Sequence, residues 1–515
     1  VALLAQFLDS SLVATAQGPA ADAEAAPEEG EESYEVRRKK VDPVEANGPI
    51  FVDWPQPVAA LLFSGEMHGY LEPCGCTGLE NQKGGLKRRH TLIKQLEAQG
   101  WPVASFDMGG LTRRVGPQAE IKFRYALQSL VTLGYSAAGL GANELQLSPG
   151  QLFFAVANLD PSTNPLTSAN VALCDFTRGL TSRYRVVEVG PRRIGVVAVL
   201  GAEHVKLLDN VAEIEAIDPA TALREVAPLV ASEQCDHQVL LVHGTPREAE
   251  SLAKQFPQFS LIGATGGAEE PPNRLKRIPG TRAQLIEVGH KGTYVVVLGL
   301  YDDPDQPIRF QRVPLDHRFD DSPAMRQMMV DYQKWLKLLD LEGLGLSGTP
   351  HPRGQFAGSE ACADCHTEAT EVFLASHHPH ATESLVKADP PRQYDPECLS
   401  CHVVGWNPQE YFPYASGYKS LTQTPHLTGN GCENCHGPAA EHVAVESGEK
   451  EVSEAEQEAL RAALHLEVLE NEGNKPGQRL GRVVDNCLEC HDTDNSPDFD
   501  FQEYWNREVK HEGRY

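Results

Sequence analysis

The chain has 515 residues, too many for one hydrophobic core, so two or three domains are expected. Its 45 basic residues stand against 72 acidic ones, a formal net charge of −27 that argues against a nucleic-acid partner and favours basic protein partners. Eight of the 12 cysteines fall in four copies of one five-residue pattern beyond residue 360, which excludes a disulfide framework as their use.

Residues 1–16 (VALLAQFLDSSLVATA) are apolar, interrupted by Gln6 and Asp9, and end in Ala14-Thr15-Ala16 as a signal-peptidase site does. They read as either the tail of a signal peptide or an N-terminal helix. No stretch approaches the roughly 20 apolar residues that span a bilayer, so no transmembrane span is expected. Residues 17–50 are rich in Ala, Glu and Pro, carry one basic run, Arg37-Arg38-Lys39-Lys40, and read as an acidic linker. From 51 to 343, short apolar β-type runs alternate with amphipathic stretches, the pattern of an α/β layered domain. The spacing predicts strands over 60–63, 103–107, 192–201, 237–244 and 293–300, and helices over 85–99, 119–133 and 322–341. Residues 344–357 read as a Gly/Pro linker into a last domain, 358–515, expected to be mainly α-helical. Within it, 446–477 reads as an acidic insertion with a capping box, Ser453 with Glu456, ahead of a helix through Glu470.

The last domain carries the pattern C-x-x-C-H at Cys362/Cys365/His366, Cys398/Cys401/His402, Cys432/Cys435/His436 and Cys487/Cys490/His491. Each copy offers two thiols for thioether bonds to haem vinyl groups and an imidazole for the iron as proximal ligand. Zinc or a redox disulfide would use the cysteine pairs but gives no reason for a His after the second Cys four times over. Four covalently bound haem c groups are therefore expected, and in so short a domain the macrocycles must supply much of the buried surface. Distal iron ligands are sought among the other histidines. His351 in the linker and His465 on the acidic helix rank low; His377 and His378 (with His380 in SHHPHA), His442 (GPAAEH), His426 (TPHLTG) and His511 (VKHEG) are the candidates.

The segments GSEACADCH with SHHPHA, GCENCHGPAAEH and CLECHDTDNSPDFDFQEYWNREVKH resemble the tetrahaem cytochrome c-554 family, carriers of electrons from hydroxylamine oxidation, over about residues 355–512. The resemblance implies His442 for the haem at Cys362/Cys365, His377 or His378 for the haem at Cys432/Cys435, and no distal protein ligand for the haem beside His402. The insertion leaves the fourth distal ligand open. Residues 60–300 resemble the calcineurin-like metallophosphoesterase domain of bacterial 5′-nucleotidases, whose motifs D-x-H, G-D, G-N-H-E, a lone His and G-H-x-H hold two metals that activate water. The matching sites here read Glu66-Met67-His68, Asp107-Met108-Gly109-Gly110, Gly141-Ala142-Asn143-Glu144, His243-Gly244 and Gly263-Ala264-Thr265-Gly266-Gly267. Most ligands are missing, with Gly110 where the metal-bridging Asp belongs, so no functional dinuclear metal site is expected. Cys74, Cys76, Cys174 and Cys235 read as disulfides, free thiols or a metal site.

The leading reading is an exported tetrahaem c-type cytochrome, periplasmic or extracellular, that relays electrons between a redox donor and an acceptor protein. Export follows from the motif, because haem attachment of this kind occurs outside the bacterial cytoplasm. The α/β domain then serves docking or assembly, and no catalytic residue is assigned. One alternative is a haem enzyme acting on a small nitrogen compound at a five-coordinate haem. Another is an active metal-dependent phosphoesterase with a cytochrome tail. The acidic linker and apolar N-terminus also leave room for assembly into a larger complex or filament.

Overall fold

The apolar runs pair into two sheets packed face to face. In chain order the strands are β1 (Ala59–Ser64), β2 (Val103–Asp107), β3 (Tyr135–Ala138), β4 (Val171–Leu173), β5 (Arg185–Val189), β6 (Arg192–Leu200) and β7 (Ile214–Ala216). They continue as β8 (His237–His243), β9 (Leu261–Ala264), β10 (Lys276–Arg277), β11 (Gln284–Glu287), β12 (Tyr294–Leu300) and β13 (Ile308–Pro314). One sheet has the order β13-β12-β1-β2-β3 and the other β10-β11-β9-β8-β6-β5, while β4 and β7 pair apart from both. β1, β2 and β3 run parallel, as do β6, β8, β9 and β11, while β12, β13, β5 and β10 pair antiparallel. The computed structural model describes residues 41–73, 82–208, 211, 213–319, 322–466, 482–493, 495–496 and 499–511. The expectations for residues 1–16 and most of 17–50, for Cys74 and Cys76, and for the far end of the acidic insertion lie outside them.

Successive strand side chains face opposite ways, and this alternation divides the core. Leu61, Phe63, Phe106, Leu241 and Val296 meet between the sheets. Ala60, Leu62, Val295 and Val297 face the other way, onto Leu92 and Leu96 of the helix Leu86–Ala98 and Phe123 and Leu127 of the helix Pro117–Thr132. On the far side of the second sheet, Val226 and Val230 of Pro219–Ser232 and Leu252 of Pro246–Gln255 cover Leu240 and Val242. The result is a helix-sheet-sheet-helix sandwich. The helix Pro323–Gly343 starts where Ser322 Oγ accepts from Met325 N (3.2 Å) and buries Met325, Met329, Tyr332 and Leu336.

The C-terminal part consists of short helices, among them Glu360–Ala363, Pro396–His402, Cys432–His436 and Arg482–Leu488, with one small hairpin, Trp406–Asn407 against Phe412–Pro413. Its apolar core is slight: Leu385, Leu399, Val403, Val404, Trp406, Tyr418 and Leu427. One expectation needs correction. The capping box does form at Ser453 and Glu456, but its helix stops at Leu464, with His465 extended, short of Glu470. In the 344–357 segment Phe356 packs against this core, and Arg353 donates to His436 O (2.9 Å). Ala357 N and Gly358 N donate to the buried Glu433 carboxylate (2.9 and 2.7 Å). Cys174 and Cys235 are free thiols.

A polar seam joins the two parts. Lys122, mostly buried on Pro117–Thr132, is 2.5 Å from Glu397 in the first turn of Pro396–His402. Burial alone would push Lys122 down, but the Glu397 and Asp395 carboxylates override it and hold the ammonium above its usual range. Asp395, the N-cap of the same helix, accepts from Gln118 (2.7 Å) and Gln333 (3.0 Å), both across the seam. Arg392 pairs with Glu72, and Arg326 with Asp389 (2.5 Å). No helix among the described residues is long and apolar enough to cross a membrane.

Candidate haem centres

Helical geometry gathers the motifs. Residues three and four apart share a helix face, so both thiols and the imidazole of C-x-x-C-H converge on one side. The turns are closed by His366 N to Cys362 O (2.9 Å) and His491 N to Cys487 O (2.8 Å), and Asp395 caps the second motif's helix. The Cys362 thiol lies beside that of Cys432, and the Cys401 thiol beside that of Cys490. The first motif therefore adjoins the third, and the second adjoins the fourth.

The four copies differ in how far their thiols are covered. Cys365 is a free, exposed thiol, whereas Cys362 and the six cysteines of the other motifs are all partly covered. The reason is local. The first motif's helix, Glu360–Ala363, ends before Cys365, which with Asp364 and His366 falls in an exposed turn ahead of the next helix, Thr367–Leu374. Cys365 N still donates to Cys362 O (3.3 Å), so the turn stays closed while its outer side faces water. The protein thus encloses Cys362 but leaves Cys365 at the rim of the first site.

The imidazoles are oriented by their Nδ1 atoms. His402 Nδ1 lies 2.7 Å from Ala381 O, His436 Nδ1 2.8 Å from Leu464 O, and His491 Nδ1 3.2 Å from Ser496 Oγ. A proton held on Nδ1 by such an acceptor leaves the Nε2 lone pair for a metal. Burial keeps His378, His402, His436 and His442 below the usual imidazole range, hence neutral as ligation requires.

Across from these rings stand others. The His436 and His511 ring centres are 6.0 Å apart, and those of His378 and His491 are 6.4 Å apart. Two imidazoles sharing one iron, at about 2 Å per Fe–N bond and roughly 1 Å more to each ring centre, are about 6 Å apart. His442 lies within electrostatic reach of His366, and its Nδ1 is buried without a hydrogen-bond partner. His402 differs: no second imidazole ring faces it among the described residues. His377 points elsewhere, its Nδ1 2.8 Å from Glu508, and His426 packs on Gly358 beside Glu433. The resemblance implied His377 or His378 for the haem at Cys432/Cys435, whereas the structure sets His378 against His491 and His511 against His436. The donor sets fit haem c, whose one-electron chemistry they would carry.

The α/β part holds a second histidine cluster where the phosphoesterase ligands would lie. Glu66 is 2.9 Å from His68 and 3.8 Å from both His243 and His290. The His204 ring centre is 5.2 Å from that of His243. His204 and His290 escaped sequence reasoning because neither sits in a motif; only the turn Gly289-His290-Lys291 before β12 brings His290 to Glu66. Asp107 is fully buried and turned away, accepting from Ser64 Oγ (2.5 Å) and Gly109 N (2.9 Å) beside Arg89 (3.7 Å). Burial pushes its carboxyl up, with Arg89 opposing. Gly110 has φ of 80°, and a Cβ there would stand 2.9 Å from Glu66 Cα. An aspartate cannot enter that position without moving the backbone. Among the described residues, no group of three or more His, Cys, Asp or Glu side chains is arranged to hold a metal ion.

Fold and sites together define an α/β phosphoesterase-like sandwich followed by a c-type cytochrome part. Residues 361–437 match the family described as cytochrome c554 and c-prime. Cytochrome c-554 of Nitrosomonas europaea is 35% identical over 96 residues, 16% of this chain and 38% of that protein. Snake venom 5′-nucleotidase of Gloydius brevicauda is 24% identical over 284 residues, 50% of this chain and 47% of that one. The chain thus spans less than half the length of either curated relative. Among solved structures, the 5′-nucleotidase precursor of Thermus thermophilus is 18% identical with a TM-score of 0.45, covering 61% of this chain and 66% of that one. Sulfate thiohydrolase SoxB of Thermus thermophilus is 14% identical with a TM-score of 0.47, covering 61% and 69%. Residues 361–437 are thus similar to cytochrome c554, and the part before them is similar to 5′-nucleotidases.

Proposed function

We propose that this chain is an exported electron relay carrying four haems, attached through Cys362 and Cys365, Cys398 and Cys401, Cys432 and Cys435, and Cys487 and Cys490. His366, His402, His436 and His491 are the proximal ligands, opposed by His442, none, His511 and His378 respectively. The observation that carries this reading is the spacing of the facing rings, 6.0 Å for His436 and His511 and 6.4 Å for His378 and His491. Haem supplies one-electron redox chemistry when bound. The protein's part is to keep the imidazoles neutral and to bring neighbouring motifs edge to edge. An acidic surface suits donors and acceptors with basic docking faces, giving association rates that fall with salt. The phosphoesterase-like part acts as a scaffold, because Gly110 leaves no room for the bridging carboxylate. The absence of phosphate release from a nucleotide with added manganese tests that.

A second reading draws on His402. A haem there has one open face, which a small nitrogen compound could occupy. Low-temperature electron paramagnetic resonance of the oxidised protein, with and without nitric oxide or hydroxylamine, separates the two. Three low-spin signals and one high-spin signal blind to both compounds support a relay. A high-spin signal that either compound converts favours the enzyme, and four low-spin signals would sink the assignment at His402.

A further inference from the structure

One charge at the seam between the two parts has no partner that explains it. Arg114, in the loop after β2, lays its guanidinium on the Tyr411 ring, 3.3 Å from the ring centre. Its Nη1 is nevertheless buried without a hydrogen-bond partner among the described residues. A guanidinium stays charged, and a buried donor left unpaired is costly, the more so when charged. Tyr411 is held to receive it, with φ of 58° at the tip of the hairpin Trp406–Asn407/Phe412–Pro413. Two residues earlier, Gln409 Nε2 donates to Glu489 O (2.6 Å), inside the fourth motif. Tyr411 is also within electrostatic reach of the Cys401 thiol. Arg114 thus stands where the second and fourth motifs meet, brought there by the other domain.

Two carboxylates reach Tyr411 electrostatically, Glu397, which Lys122 already engages at 2.5 Å, and Asp492 after the fourth motif, and neither is hydrogen-bonded to Arg114 Nη1. The acceptor that Arg114 lacks is one that a haem brings, because each haem carries two carboxylates. We infer that Arg114 is the partner of a carboxylate on the haem held by Cys398, Cys401 and His402, so that the phosphoesterase-like part completes that haem's pocket and raises its reduction potential. The inference rests on the haem assignment above. A cation beside the carboxylate offsets negative charge that would otherwise favour ferric iron.

The test uses the full-length, haem-loaded protein in wild-type, R114Q, R114K and R326Q forms, titrated electrochemically with optical and electron paramagnetic resonance readout. The H402M variant assigns the signal of the second haem. Haem stoichiometry by mass spectrometry is measured first, and fewer than four haems in the wild type would count against the four-haem reading rather than against Arg114. In R114Q the second haem alone should move about tenfold toward its oxidised form at a fixed poise, about 59 mV for a one-electron couple. R114K should retain most of the wild-type value. R326Q, which breaks the exposed Arg326–Asp389 pair elsewhere in the seam, should move none of the four. An unmoved second haem in R114Q, a shift confined to another haem, or an equal shift in R326Q overturns the inference. Should R114Q fail to fold, Y411L, which removes the platform that aims the guanidinium, must lower the same potential; an unmoved value there overturns it equally.

Discussion

Glu144 carries its carboxyl where water does not reach: Oε1 accepts from Leu111 N (2.5 Å), and Oε2 has no hydrogen-bond partner. Burial pushes it from 4.5 up to about 7. Between those values the unfolded chain releases a proton that the folded protein keeps, so stability falls as pH rises through that window, by about 3 kcal/mol once pH exceeds 7. His243 acts oppositely. Burial lowers it from 6.5 to about 4, so the unfolded chain takes up a proton first and stability falls as pH drops through 6.5 toward 4. The two contributions largely cancel between pH 5 and 7 in the wild type. E144Q removes the first, so its urea midpoint should rise more steeply with pH across that range than the wild-type midpoint does. Parallel pH profiles would show that Glu144 is not held protonated. The facing rings make an equally local prediction. H378A and H511A should each convert one low-spin haem to high spin, whereas H377A, whose Nδ1 is committed to Glu508, should leave the resonance spectrum as it was.

At the scale of elements, the helix Pro396–His402 is the hinge pin between the two parts, because it carries a haem motif on one face and the seam on the other. Its Glu397 is about a third exposed and Lys122 about a tenth exposed, so the pair is asymmetric. E397Q strands a buried ammonium, and a cost of about 2 kcal/mol is expected, below the 3–5 kcal/mol of a fully buried pair. K122M fills the same space with an apolar stem and leaves Glu397 partly in water, so it should cost less, and the double variant should resemble K122M alone. Equal losses in the two single variants, measured by urea unfolding, would refute that asymmetry. None of this pairing was legible in the sequence, because Lys122 and Glu397 meet only after two domains fold. What could be read was local. The strands β1, β2, β6, β8 and β12 lie in long apolar runs, and the four haem motifs stand out by their spacing. That spacing could not tell Cys365 from its seven counterparts, since its exposure depends on where one short helix ends. Short strands such as β3, β9 and β11 offer too few residues for a period to show. The facing histidines were legible as a set of candidates but not as pairs, since His378 and His491 approach one another only through the packing of separate short helices.

For the whole molecule the decisive imbalance is between the two cores. The sandwich buries apolar side chains in three extended clusters, whereas among the described residues the C-terminal part has one small cluster and a few scattered buried apolar side chains such as Val445 and Val483. So thin a core cannot offset the conformational entropy of the chain that surrounds it. Haem would supply the missing buried surface, and thioether bonds would fasten the short helices that carry the motifs. The sandwich needs neither, since its helices and sheets cover one another and the helix Pro323–Gly343 completes it from within the same chain. Full-length protein produced without haem attachment should therefore fold only in part. Limited proteolysis followed by mass spectrometry should give a protected fragment that ends shortly after the Pro323–Gly343 helix, with the cysteine-rich region digested. The haem-loaded protein should resist cleavage across Pro396–His402 and lose material first in exposed loops. Protection of the cytochrome part without haem would mean that its protein packing alone suffices, and haem would then be a passenger in that domain instead of its core.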